Sequence, residues 1–525
     1  MRILLAEPMA AGGVSLLRAQ PGWEVITSNP KEFTQYLADA DALIVRSGLI
    51  VDGKVLAQAP KLRVIGRAGV GVDNVDLVAA TSAGVLVMNT PGGNAVSVAE
   101  HTIALMLSMA RSIPAASAST KAGKWEKRKF MGTELRRKTL GIVGLGSVGR
   151  EVVKRATAFE MRIIANDPYV NSQTAKSVGV DLVDLPTLYE QSDYITLHTA
   201  LTPESHRMLS REAFAKMKPG VRILNCARGE LIDEQALREA LESGKVAGAA
   251  LDVFEQEPPS ADDPLLKMET LIATPHIGGS TEEAQETVGV RLAEQIVDYL
   301  QNGVALNAVN LPALTPEQYK TLGPYSRLAE RLGNFASYIA NGNPQTARFV
   351  YFGKLAEFNT HLVRNAGLAG ILQRSLARKA NSVNAMQIAA DRGLAVAERH
   401  DQRAAHTDTV RLELETDAGQ TSVEGAVLLD QPRLVQVEGI QCEAPLEGNL
   451  TFLQNEDVPG VIGFIGDVLG KNKINIATFS LGRKKAGAEA VAVVQTDQPV
   501  PDAVLAELKK NAAIKRASAV RFNGA

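Results

Sequence analysis

Arg228, Glu257 and His276 are the side chains of this sequence whose types and order suit acid–base chemistry on a small anion. An imidazole titrates near working pH, so His276 suits the removal of a hydroxyl proton. Glu257, in the stretch FEQEPP, would raise the pKa of that ring and stabilise the imidazolium if the fold brings the two together. Arg228, in NCARG, offers a guanidinium that binds a carboxylate bidentately. Each has a plain structural alternative: a helix cap for His276, a loop carboxylate for Glu257, an ion pair for Arg228. Taken together they fit hydride removal from a secondary alcohol, which needs a proton acceptor, a group holding that acceptor in the right state, and a cation for the substrate.

A hydride acceptor is implied by the stretch from Lys138 to Asp167. TLGIVG reads as a buried strand, and Gly144-Leu145-Gly146-Ser147-Val148-Gly149 has the G-x-G-x-x-G spacing at the entry to a helix. Glycines there allow a tight turn and close approach of backbone to a pyrophosphate seated on the helix N-terminus. A second strand, RIIAND, ends in Asp167 about 20 residues on, the context the fingerprint requires. Asp167 would accept hydrogen bonds from a ribose and repel a 2′-phosphate, and no arginine follows it, so the expected cofactor is NAD and not NADP. Downstream, four apolar strands end in polar residues, at His198-Thr199, at Cys226 to Gly229, at Asp252 and at His276. Ligands gather beyond such carboxyl ends.

Toward the N-terminus, the residues from Arg2 to about Val98 alternate short apolar runs with amphipathic stretches, the rhythm of a doubly wound sheet. Two of these strands end in arginine, Arg46-Ser47-Gly48 and Arg67-Ala68-Gly69, which read either as solvated strand ends or as cations for an anionic ligand beyond the carboxyl ends. An apolar helix, NAVSVAEHTIALMLSMAR, leads from the first lobe into the second. A basic segment around Trp125 follows, with Lys124, Lys127, Arg128 and Lys129. It reads as a solvated arm, or as a piece packed on a neighbouring subunit that offers cations to an anionic ligand.

Composition narrows the class. The formal net charge of −2 argues against a nucleic-acid binder, whose footprint is a concentrated basic surface. Hydrophobic residues at 45% with aromatics at only 5% point to cores of Ala, Val, Leu and Ile, as in parallel α/β sheets. Two cysteines, Cys226 and Cys442, make neither a disulfide framework nor a metal cluster, which suits a reduced cytoplasmic setting. No stretch approaches the roughly 20 apolar residues of a membrane span, so no membrane partner is expected.

The succession GLGSVG, Asp167, NCARGE, GAALDVFEQEPP and TPHIGGST resembles the D-isomer-specific 2-hydroxyacid dehydrogenases. With VRSG, GRAGVGVDNVD, NTPGGNAVSVAEHT and KWEKRKFMGTEL added, the resemblance is to members acting on 3-phospho-D-glycerate at the head of the phosphorylated route to L-serine. The resemblance implies that Arg228, Glu257 and His276 are catalytic. It implies that Gly144, Gly146, Ser147, Val148, Gly149, Asp167, Thr199, Cys226, Ala227, Asp252, Ile277, Gly278, Gly279 and Val70 line the NAD. Arg46, Ser47, Arg67 and Asn94 would face the substrate. Val70 departs from the threonine that many members carry. Some members also reduce 2-oxoglutarate. The number of arginines favours a phosphorylated substrate over a lactate-type one; the alternatives are a glyoxylate or hydroxypyruvate reductase and an NAD-binding corepressor on the same scaffold.

The expected architecture is α/β. Two doubly wound Rossmann-like lobes comprise a discontinuous substrate domain of residues 1–98 and 288–312 and an NAD domain of residues 99–287. Residues 313–447 read as an α+β segment, with helices near Tyr325 to Ala340, Leu362 to Ala377 and Asn384 to Glu398, a strand near Ala347 to Leu355 and further strands to about Gly439. It resembles the intervening domain of the long form of these enzymes. Residues 448–525 follow the order strand, helix, strand, strand, helix, strand and resemble an ACT domain. ACT domains pair across subunits, which implies a homo-oligomer, a dimer or tetramer. Asn455, Asp457 and Asn475 match positions that bind L-serine as an effector in regulated relatives.

Overall fold

A computed structural model describes residues 1–373, 380–402 and 407–522. The chain divides into two compact units, one of residues 1–8, 15–89 and 292–525, the other of residues 9–14 and 90–291.

The larger unit begins with a parallel sheet of β1 (Arg2–Leu5), β2 (Glu24–Thr27), β3 (Ala42–Val45), β4 (Val64–Arg67) and β5 (Leu86–Met88), in the order β2-β1-β3-β4-β5. Ile3, Leu4, Leu5 and the whole of β3 are buried, the continuous apolar run expected of strands covered on both faces. Val45 pairs with Arg67, so the residues after β3 and β4 emerge side by side. The chain returns to this sheet after the long helix Glu282–Asn302, where Val309 N–H donates to the Val87 carbonyl at 2.8 Å.

The second unit is built on seven parallel strands: β6 (Thr139–Val143), β7 (Arg162–Asn166), β8 (Asp181–Leu182), β9 (Tyr194–Leu197), β10 (Val221–Asn225), β11 (Val246–Leu251) and β12 (Leu271–Ala273). Their order, β12-β11-β10-β9-β6-β7-β8, reverses between β6 and β9. A crevice opens at that reversal. The helix Ala95–Ala110 packs on this sheet through Ala99, Ile103 and Met106. The basic segment carries a helix, Ile113–Lys121, with no buried residue, and Trp125 beyond it is 86% exposed.

Two further sheets complete the larger unit. The intervening sheet runs β14-β13-β15-β16-β17-β18, from β13 (Pro344–Phe352), β14 (Ala395–Asp401), β15 (Thr409–Thr416), β16 (Gly419–Leu428), β17 (Gln431–Val437) and β18 (Ile440–Pro445). The last is antiparallel, ordered β20-β21-β19-β22, from β19 (Asn449–Glu456), β20 (Ile476–Arg483), β21 (Glu489–Thr496) and β22 (Ile514–Arg521). One face of it, through Leu450, Phe452, Val491, Val493 and Val520, joins the core of the intervening sheet and its helices. Its other face packs on the helices Val461–Lys471 and Asp502–Leu508.

The intervening segment departs from expectation in several places. Its first helix spans Pro316–Ile339 and runs through Pro324. Thr315 caps it, its hydroxyl accepting from Gln318 N–H at 3.2 Å while the Gln318 side chain accepts from Thr315 N–H at 2.9 Å. An interior proline costs about 3 kcal/mol, outweighed here by a buried stripe of Leu322, Leu328, Leu332 and Phe335. The expected helix from Asn384 to Glu398 stops at Asp391, because Gly393 turns the chain with a φ of +69°, and the remainder pairs with β13 as the parallel strand β14. The strand expected to reach Leu355 ends at Phe352 in a 3-10 turn. The next expected helix spans His361–Leu372, and its end near Ala377 lies outside the described residues. Among the described residues no helix is long and apolar enough to cross a membrane.

Candidate active site

At the reversal of the second sheet, Gly144 follows β6 with a φ of +94°, a conformation that disfavours any side chain. A methyl group there would run into the backbone of His198 and Thr199, at the end of β9. Gly149 sits equally tight against the Gly144 carbonyl, while Gly146 faces open space. Gly146 is the N-cap of the helix Ser147–Ala158, and no side chain caps its first turn. The free N–H groups and the helix dipole therefore face a clear volume, which fits a pyrophosphate. Val148 packs into the core, leaving only its backbone for a ligand. Asp167, just past β7, accepts from Leu145 N–H at 2.8 Å and Tyr169 N–H at 2.9 Å, so it braces the glycine turn with the carboxylate expected to meet a ribose.

The strands beyond the reversal end in the expected acid–base set. His276 Nδ1 lies 2.7 Å from Glu257 Oε2. Glu257 Oε1 also accepts from Phe254 N–H at 3.1 Å, which fixes the carboxylate on its loop. The Glu257 hydrogen bond lifts the His276 imidazolium above its ordinary pKa against the pull of burial, Asp252 adds to the lift and Arg228 opposes it. Burial pushes Glu257 upward, but His276, Phe254 N–H and Arg228 together hold it below its ordinary value. Arg228 thus acts electrostatically on both partners. Its loop is moulded by buried Asn225, which donates to the Arg228 carbonyl at 2.7 Å and accepts from Ala227 N–H at 3.0 Å. A side chain on Gly229 would collide with the backbone at Phe254, so this glycine lets the end of β10 approach the loop carrying Glu257.

His276 has a φ of +52°, a left-handed backbone that costs an imidazole-bearing residue about 1–2 kcal/mol. Asp252, 1% exposed, holds that turn. Its carbonyl accepts from His276 N–H at 2.8 Å, and its carboxylate accepts from Ile277 N–H at 2.9 Å and Gly278 N–H at 2.8 Å. Burial alone would raise the Asp252 pKa, but bonds from His101, Thr274, Ile277 and Gly278 keep it lowered and ionised. Asn94 immediately precedes the helix Ala95–Ala110, without a side-chain capping bond, and packs on Gly279, so it belongs to this unit and not to the sheet of Arg46. Thr199 and Ala227 sit at the ends of β9 and β10, and Ile277 is exposed. Burial raises the Cys226 thiol to about 12, so it packs here as a neutral group. His198 is pushed down to about 3 by burial and stays neutral.

In the larger unit, the β3 and β4 ends set Arg46, Ser47 and Arg67 along one edge. Glu7, buried at the end of β1, accepts from Arg46 N–H at 2.5 Å and Gly48 N–H at 3.1 Å. Asn74 donates to the Arg46 carbonyl at 2.7 Å. The Arg67 guanidinium lies over Gly69 where a side chain would stand. Val70 is exposed, its carbonyl accepting from Asn89 at 2.5 Å. Sequence reasoning passed over Glu7, Asn74, His101 and Thr274; a carboxylate closing the apolar run of β1 was the available signal for Glu7. In the last domain, Asn455 is buried and Asp457 pairs with Arg483 at 2.8 Å, while Asn475 donates to Asp497 at 2.8 Å. Asn455 pairs with Ala490 at one end of β21 and Ile476 with Thr496 at the other, so one copy does not bring Asn475 to the first two.

Comparison with known proteins places this geometry. Residues 103–278 match the NAD binding domain of D-isomer specific 2-hydroxyacid dehydrogenases, residues 321–438 the D-3-phosphoglycerate dehydrogenase intervening domain, and residues 450–513 the ACT domain. D-3-phosphoglycerate dehydrogenase of Methanocaldococcus jannaschii is 43% identical over 99% of this chain and 100% of its own length. The chain belongs to the D-3-phosphoglycerate dehydrogenase family. The Archaeoglobus fulgidus relative of the same name is 41% identical over 97% of this chain and 98% of its own. Among solved structures, the TT0316 protein from Thermus thermophilus superposes with a TM-score of 0.54 at 35% identity, over 59% of this chain and 100% of that one. The apo D-lactate dehydrogenase of Escherichia coli gives 0.53 at 29% identity, over 59% and 100%. This dehydrogenase is an NAD-dependent oxidoreductase with two Rossmann-like lobes, an intervening domain and an ACT domain.

Proposed function

We propose that the dehydrogenase oxidises 3-phospho-D-glycerate to 3-phosphohydroxypyruvate, the first step of the phosphorylated route to L-serine. One observation carries the substrate: the pairing of Val45 with Arg67 sets Arg46 and Arg67 at adjacent strand ends, two guanidinium groups in addition to Arg228. A lactate-type hydroxyacid needs one such cation, and a phosphate plus a carboxylate needs several. In this reading Arg228 binds the carboxylate, and Arg46 and Arg67 bind the phosphate. Glu257 holds the Nδ1–H of His276, which leaves the Nε2 lone pair as the base for the C2 hydroxyl proton. The resulting imidazolium is stabilised by Glu257. NAD supplies the acceptor for the hydride leaving C2, with Gly144 to Gly149 and Asp167 as its cradle. In reverse the same groups would serve a 2-oxoacid such as 2-oxoglutarate.

Purified protein with NAD and 3-phosphoglycerate at alkaline pH should form NADH, and His276→Ala should abolish the signal. Equal or faster turnover of D-lactate, or of glyoxylate or hydroxypyruvate with NADH, would assign a different hydroxyacid. Absence of turnover on every 2-hydroxyacid would overturn the reading. L-serine is the proposed effector. Asn475 stands at the other end of the sheet from Asn455 and Asp457, so a site using all three needs a second copy, and a dimer or tetramer is expected. Native mass spectrometry with and without serine checks both statements. Free thiols at Cys226 and Cys442 suit a cytoplasmic setting.

A further inference from the structure

We propose that His101, on the helix Ala95–Ala110, is a positioning residue for proton transfer at His276, acting through Asp252 and Thr274. The proposal rests on the reading of His276 as the proton acceptor. His101 Nε2 lies 3.1 Å from Thr274 Oγ1 and 3.3 Å from Asp252 Oδ1. The Thr274 hydroxyl donates to Asp252 Oδ1 at 2.6 Å, so its hydrogen is committed and its oxygen is left to accept. Nε2 of His101 therefore carries the hydrogen and donates to both oxygens.

The remaining capacity of Asp252 goes to the chain that bears His276. Three consecutive N–H groups, of His276, Ile277 and Gly278, all end on this one residue. The helix thus reaches the proton acceptor through two links, His101 to the Asp252–Thr274 pair and that pair to the left-handed turn at His276. A buried carboxylate left short of a donor gains protons or shifts toward another partner. Either change loosens the turn and misaims the imidazole.

The charged and titratable groups facing this cluster come from each element packed on it. The helix contributes His101, the end of β10 Arg228 and the neutral Cys226 thiol, the end of β11 Asp252, and the loop beyond it Glu257. Glu257 and Arg228 act on His276 and set its charge. His101 acts on the turn and sets where the ring points. A residue serving only to satisfy a buried carboxylate would affect folding and leave the chemical step alone, which separates the two roles.

The test uses the full chain with NAD and 3-phosphoglycerate, comparing wild type with His101→Ala, His101→Gln and Thr274→Val. Misplacement of a catalytic group costs on the order of 100-fold. His101→Ala and Thr274→Val are therefore expected to lower kcat about 10- to 100-fold, with KM for substrate and the NADH dissociation constant within about twofold. His101→Gln, whose amide nitrogen takes the Nε2 position, should recover most of the lost kcat. Substrate deuterated at C2 should show a larger isotope effect on kcat in His101→Ala than in wild type. Amide hydrogen exchange of the NADH complex supplies a measurement independent of turnover: peptides covering residues 276–278 should exchange faster in His101→Ala and recover in His101→Gln. Unchanged kcat and exchange in His101→Ala, equal loss in the alanine and glutamine variants, or a loss traced to NADH affinity or melting temperature alone would each overturn the proposal. A wild-type enzyme that binds NADH without oxidising 3-phosphoglycerate would overturn the substrate reading, and the exchange arm would still decide the role of His101.

Discussion

The proposed role of His276 as proton acceptor carries an expected pH behaviour. Oxidation needs the neutral ring, and because Glu257 raises its pKa, the acid limb of kcat/KM should lie above the ordinary imidazole value of about 6.5. Glu257→Gln removes the main cause of that lift, so the limb should move to lower pH while the plateau falls about 10- to 100-fold; a pH–rate profile of both proteins checks direction and size. The pair also links pH to stability. His276, raised in the fold, contributes fully below its unfolded pKa and loses that contribution as pH rises through the folded value. Glu257, lowered in the fold, contributes above its unfolded pKa and loses that contribution as pH falls through the folded value. Both are complete between about pH 4.3 and 6.5. The His276 and Glu257 side chains are 49% and 37% exposed, so solvent screening keeps the effect small. Melting temperature against pH should therefore show a gain in that window that Glu257→Gln removes.

At the scale of elements, the strand ends are held by close backbone packing and by hydrogen bonds to backbone N–H groups. Gly144→Ala meets both a left-handed backbone and the His198 carbonyl, so the glycine turn must shift away from the end of β9. Titration of protein fluorescence with NADH should show affinity falling about 5- to 30-fold, since the strained backbone alone costs about 1–2 kcal/mol. Glu7 is the equivalent device in the first sheet, fixing the loop of Arg46 through two backbone N–H groups. Glu7→Gln replaces an acceptor with a donor facing one of those N–H groups. A lost bond to a charged group is worth about 1.5–3 kcal/mol, so KM for 3-phosphoglycerate should rise about tenfold or more, with kcat less affected. Initial-rate kinetics separate the two constants.

For the molecule as a whole, the ACT sheet and the intervening sheet share one core, in which Phe335 and Phe452 meet edge to face with ring centres 6.1 Å apart. The intervening domain in turn touches the first lobe by polar contacts: Asn381 donates to the Gly84 carbonyl at 2.7 Å, and Gln387 donates to the Ser82 hydroxyl at 2.8 Å. The ACT domain is thus connected to the sheet that carries Arg46 and Arg67 by a shared core followed by these hydrogen bonds. If L-serine is the effector proposed above, the double variant Asn381→Ala, Gln387→Ala should weaken its inhibition severalfold, read as a higher serine concentration for half inhibition.

How much of this was legible without coordinates follows from the reach of each interaction. Gly144 to Gly149, Asp167 and the polar strand ends were readable because a phosphate-binding turn and a strand carboxyl end are written in contiguous residues. Arg228, Glu257 and His276 were readable as types, and the 2.7 Å contact between the last two was not, since it depends on where separate loops finish. The helix through Pro324 and the parallel strand β14 were misjudged because tertiary packing outweighs a local breaker, and because a strand is defined by a partner distant in sequence. Glu7, Asn74, His101 and Thr274 look like ordinary polar residues along the chain. Their work consists of hydrogen bonds to backbone and side chains far away in sequence, which only the folded chain brings within reach.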